Sequence, residues 1–103
     1  MRKEKKEYLN QYLLQETKIN RIRKMTNINP ELKSRYKAEL NKALELRVKI
    51  EKQINAVDGG VLSELLSQKY IFGKTLEDIS VILNYSTRHI ERLHIKALDS
   101  FQM

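Results

Sequence analysis

Apolar side chains recur at helical spacing along almost the whole chain, and nowhere do they alternate as a strand requires. From about Glu4 to Met25, Tyr8, Tyr12, Ile19 and Ile22 fall on one stripe, with Leu9 and Leu13 beside it. From Pro30 to Val57 a second stripe runs through Leu32, Tyr36, Leu40, Ala43, Ile50, Ile54 and Val57, broken by Arg47 and widened by Leu44 and Val48. The rest of the chain predicts three shorter helices: Val61 to Phe72, Leu76 to Leu83, and Thr87 to about Phe101. In the first of these Leu62, Leu65, Leu66, Tyr70 and Ile71 face inward, and in the second Leu76, Ile79, Ile82 and Leu83 do so. The pattern predicts an all-α fold with no internal repeat.

The breaks between stripes carry the residues that start and stop helices. Asn29 is an N-cap followed by Pro30, whose missing N–H would be unpaired there in any case. Gly59 and Gly60 supply the positive φ that ends a helix, and Gly73 does the same ahead of the N-cap Thr75. Asp78, three residues on, completes a near capping box. Asn84, Tyr85 and Ser86 suit a tight turn, with Ser86 capping the last helix.

The helix from Pro30 is about 28 residues long, roughly 42 Å. It needs the first helix, a second copy of the chain, or both, to cover its stripe. The expected architecture is a long N-terminal helical hairpin, coiled-coil-like, over residues 1–57, followed by a trihelical helix-turn-helix domain over residues 58–103.

Charge complicates that picture. The chain of 103 residues carries a net charge of +7, which favours an acidic partner, nucleic acid first. Residues 1–57 hold 15 Lys or Arg against 7 acids, whereas residues 58–103 hold 5 against 6. The half with the helix-turn-helix pattern is the less basic one. Cysteine is absent, so thiolate metal sites and disulfides are excluded. His89 and His94 lie on different helix faces without a third ligand, so no metal or other cofactor is expected. No catalytic grouping or phosphate loop stands out, and the chain is not read as an enzyme. The start, MRKEKKEYLNQ, lacks the apolar run of a signal peptide, and no stretch is apolar enough to span a membrane, so a cytoplasmic protein is expected.

At 100° per residue, Ile90, Leu93, Ala97 and Phe101 cluster on one side of the last helix. Arg88, Arg92 and Lys96 form a basic ridge on and beside the opposite side, flanked by His89 and interrupted by Glu91. A recognition helix needs this division between a packed seam and an outward polar face. Ser80, small and mid-helix, allows a close crossing with the preceding helix.

The stretch TLEDISVILNYSTRHIERLHIKAL, Thr75 to Leu98, resembles region 4 of bacterial sigma-70 type factors. The likeness rests on Leu76-Glu77, Ile79, the turn into Ser86, Ile90, Leu93 and the closing Lys96-Ala97-Leu98. The whole chain resembles small phage transcriptional regulators of the RinA and ArpU type. Carried over, the resemblance puts base or phosphate contacts at Thr87, Arg88, His89, Glu91 and Arg92. Sigma factors often have Arg where this chain has Thr87, His89 and Glu91, so their base preference does not transfer.

The expected function is sequence-specific binding of double-stranded DNA in transcription control, phage- or prophage-encoded, with Thr87–Phe101 in the major groove. Arg88, His89 and Arg92 are the expected base readers. Thr87, Lys69, Lys74 and Lys96 are the expected backbone contacts. RNA polymerase and a second copy of the chain are the further partners considered. Tyr8, Tyr12, Ile19, Leu40, Ile50 and Ile95 are candidate interface residues, Ile95 either in such an interface or against the N-terminal hairpin. Two alternatives stay open: a protein-interaction module built on the N-terminal helices, and architectural or packaging DNA binding without sequence preference.

Overall fold

In the computed structural model, which describes residues 1–103, the chain is all-helical. Helix α1 spans Arg2–Ile28 and α2 spans Lys33–Asn55; α3 is Gly60–Leu66, α4 is Leu76–Leu83 and α5 is Thr87–Ser100. A 3₁₀ turn, Pro30–Leu32, leads into α2, and a widened π turn, Ser67–Ile71, continues α3. The expected single helix from Val61 to Phe72 is thus two segments. Phe72 lies outside both and is exposed.

The helix ends follow from the residues at them. The Asn29 side chain accepts from the Glu31 N–H, with Pro30 at the first position of the turn. Thr75 and Asp78 cap α4 reciprocally: the Asp78 N–H donates to Thr75 Oγ1 at 3.1 Å, and the Thr75 N–H donates to Asp78 Oδ2 at 3.4 Å. Asn84 ends α4 in the left-handed region, φ 59°. Gly73 adopts φ 69°, a left-handed backbone that favours glycine there, with Leu13 packed alongside.

Helices α1 and α2 run antiparallel. Tyr8 donates to Gln53, Tyr12 to Glu51, Glu16 faces Arg47, and Arg21 meets Glu39, so partners descend along α2 as they ascend along α1. The seam is partly polar. Gln15 is buried, and Arg47, which interrupts the apolar stripe, reaches Glu16 at 3.9 Å while its buried Nε finds no partner. Burial and the hydrogen bond to Glu51 push the Tyr12 hydroxyl up to about 12.

The larger core draws on both ends of the chain. Leu9 and Tyr12 of α1 meet Ile50, Ile54 and Val57, then Leu66 and Tyr70, then Ala97, Leu98 and Phe101. A smaller cluster of Leu65, Ile79 and Ile90 holds α4 between α3 and α5, with Leu76, Leu83 and Leu93 half-buried around it. Asp58 to Gly60 is therefore a turn on the rim of a shared core. Helix α4 has fewer than three turns and buries one face only, so Ile82, expected inward, stands about half exposed.

Because one core joins the two ends, Ile54→Ala is expected to cost about 2–5 kcal/mol. Urea unfolding followed by tyrosine fluorescence and by helical circular dichroism should give one coincident transition in both proteins. Two separated transitions in the parent chain would show that its ends fold independently.

Candidate nucleic-acid interface

Helix α5 is gripped along one side and free along the other. Ile90, His94, Ala97, Leu98 and Phe101 are buried, and Leu93 is half-buried. On the free side Arg88, His89, Glu91, Arg92, Ile95 and Lys96 are all exposed. No acidic side chain lies within ion-pair distance of Arg88, Arg92 or Lys96. The first turn of α5 is fixed by Ser86, whose Oγ accepts from the His89 N–H at 3.1 Å.

The remaining expected contact residues divide. Lys74 is exposed in the turn before α4. Thr87 is half-buried, and its hydroxyl donates to Ser80 Oγ at 3.4 Å, so it stitches α5 to α4 at the crossing. Lys69 is half-buried in the π turn with its ammonium 5.7 Å from the centre of the Tyr70 ring. Both side chains are thus engaged within the chain, which the sequence pattern did not indicate.

Of the residues expected at an interface, Tyr12, Ile19 and Ile50 are buried within the chain's own helical packing, while Tyr8 and Leu40 are half-buried. Ile95 is 45% exposed.

Two residues beyond those expected shape this surface. Tyr85 lies four residues before His89, and their rings meet edge to face with centroids 4.9 Å apart, which holds the exposed imidazole against the turn. The spacing is a signal visible in the sequence. Asp99 is the other. The Arg2 guanidinium donates to both its carboxylate oxygens, at 2.8 and 2.9 Å, and this hydrogen-bonded pair lowers the Asp99 pKa. Lys5 Nζ donates to the Leu98 carbonyl at 2.8 Å, a second bond on a C-terminal carbonyl of α5 that also accepts from the Phe101 N–H at 3.2 Å. Cations from the start of the chain thus offset the acidic end of α5, which a count by halves of the chain conceals.

No family model, curated protein or solved structure matches this chain. No helix is long and apolar enough to cross a membrane.

His94 lies under the surface, 2.8 Å from the Tyr70 hydroxyl through Nε2. Burial lowers its pKa to about 4, with Lys69 and Lys6 adding repulsion. An unfolded His titrates near about 6.5, so between these values the unfolded chain takes up a proton that the folded chain refuses. Stability is therefore expected to fall as pH drops from about 6.5 to about 4, with a ceiling of roughly 3 kcal/mol from this group. His94→Gln keeps a polar group near Tyr70 and cannot ionise. Urea titrations across that range should give a shallower pH dependence for the variant, and identical slopes would remove His94 as the cause.

Proposed function

We propose that this protein is a sequence-specific duplex DNA-binding regulator in which α4, the Asn84–Ser86 turn and α5 act as a helix-turn-helix. The carrying observation is that α5 presents Arg88, His89, Arg92 and Lys96 outward without acidic partners while its other side is buried. An α-helix held in this way fits the major groove, where an Arg fork matches guanine O6 and N7. Arg88 and Arg92, one helical turn apart, are the base readers in this reading. His89, steadied by Tyr85, reads beside them. Lys96 and Lys74 meet phosphates, and the capped first turn of α5 brings backbone N–H groups to the same strand. The resemblance of Thr75–Leu98 to sigma region 4 supports the assignment and favours transcription control of the phage-regulator type.

A second reading has an observation of its own. Val81 and Ile82 on α4 are 81% and 49% exposed, more apolar surface than a helix crossing a phosphate backbone uses. These residues suit a protein neighbour, such as RNA polymerase, beside the bound DNA.

Selection from random duplexes at about 150 mM salt tests the first reading. A motif should be enriched, and Arg88→Ala with Arg92→Ala should lower affinity for it by roughly 30-fold or more, from about 1–3 kcal/mol per guanine contact. Equal affinity of the double variant for the motif would exclude α5 as the reader.

A further inference from the structure

The positive charge of the molecule is concentrated at the end of the α1–α2 pair furthest from α5. Residues 18–42 hold 8 Lys or Arg and 2 acids, a net +6 out of the chain's +7. One of those acids, Glu39, faces both Lys18 and Arg21, at 3.9 and 3.5 Å. Arg23, Lys24, Lys33, Arg35, Lys37 and Lys42 are exposed and have no acidic partner within ion-pair distance. The molecule is 50 Å long, and this end projects from the body that α3, α4 and α5 form at the other. The packing of α1 with the end of α5 runs from Arg2 to Tyr12. Ile28 lies about 24 Å further along the helix axis. That exceeds the screening length of about 8 Å at physiological salt several times over, so this end and α5 act as separate electrostatic surfaces.

The arrangement works against the stability of the bare protein. Lys33 is the first residue of α2, close to the positive end of the helix dipole, where the one acid is Glu31 in the preceding 3₁₀ turn. Lys37 follows four residues later, and like charges at this spacing repel. The apolar residues buried near this end are few, Ile19, Ile22 and Ala43. Cations held close together on a thinly packed tip, with two carboxylates against eight cations, fit an external polyanion.

The chemistry of the tip favours phosphate over an acidic protein. Thr26, Lys33, Ser34, Tyr36 and Lys37, together with the apolar Ile22 and Leu40, line a crevice of about 300 Å³ between the two helices, and its polar members set hydroxyls beside ammonium groups as in phosphate contacts. Protein interfaces need an apolar centre, and the tip exposes only one large apolar residue, Ile28. Interfaces with nucleic acid are polar and strongly positive.

We infer that the distal end of the α1–α2 pair is a second duplex-DNA surface, which binds the phosphate backbone without sequence preference and independently of α5. It does not depend on α5 reading bases. In a regulator with sequence preference, this surface would supply the general affinity that residues 58–103, with 5 cations against 6 acids, do not.

The test compares two full-length variants of equal charge change. Lys24, Lys33, Arg35 and Lys37→Gln neutralises the tip; Lys3, Lys6, Lys49 and Lys52→Gln neutralises the same number of exposed lysines nearer the body. Binding to a duplex of arbitrary sequence is measured across salt, with melting temperature as the folding control. The tip variant should lose roughly tenfold or more in affinity on every sequence, with the slope of log K against log salt shallower by about 2 or more. The other variant should change little. The tip variant should melt no lower than the parent, since it loses repulsion. Equal losses in the two variants would assign the effect to overall charge and overturn the inference. So would a parent that fails to bind arbitrary duplex, or a tip variant that keeps duplex affinity but no longer binds phosphatidylserine vesicles. Motif selection reports on α5 separately, so either surface can fail while the other stands.

Discussion

The structure depends on the burial of Ala97, Leu98 and Phe101 against the start of α1 and the end of α2. These side chains are almost wholly removed from water among Leu9, Tyr12, Ile50 and Ile54. Each buried Leu, Ile or Phe side chain is worth about 1.5–3 kcal/mol, so this junction outweighs any ion pair on the surface. It makes the last helix part of the same core as the first. Tyr8 lies against Phe101 with ring centroids 6.1 Å apart, and Gln53 donates to the Gln102 carbonyl at 3.3 Å, so polar contacts follow where the apolar ones lead.

That junction determines what α5 can offer. Its C-terminal half is embedded, while the turns carrying Arg88, His89 and Arg92 project past the end of the larger core, supported by the smaller cluster of Leu65, Ile79 and Ile90. A helix anchored at one end and exposed at the other presents side chains on a rigid base, which favours specific contacts over adaptable ones. The same junction draws Arg2 and Lys5 onto the acidic and carbonyl groups at the end of α5. These cations therefore serve the fold and are not free for a polyanion, unlike Arg23, Lys24, Lys33, Arg35, Lys37 and Lys42.

Helix boundaries were largely legible because capping is local chemistry. Asn29-Pro30, Thr75 with Asp78, and Ser86 each act within three residues, and every one starts an element where the pattern places it. The π turn at Ser67–Ile71 had no such local mark. The outward basic ridge on α5 was also legible from the period of 3.6. Its buried side was seen only in part, since His94 and Leu98 lie in an arc widened by a second neighbour. His94 turns inward because the Tyr70 hydroxyl gives it a partner there, whereas Ile82 turns outward because α4 has only one face against the rest.

The sequence by itself determined the all-helical class, the starts of the helices and the sign of the charge, because each follows from residues a few positions apart. Tertiary structure alone decided that residues 1–57 and 58–103 share a core, because that rests on contacts between side chains some ninety residues apart, such as Leu9 and Leu98. It also decided which cations are spent on the fold and which stand free. A charge count along the chain cannot separate Arg2, paired with Asp99, from Lys33, paired with nothing. Only the packing of α1 on α5 makes that distinction, by bringing a carboxylate to one and leaving the other at the far end of a 50 Å molecule.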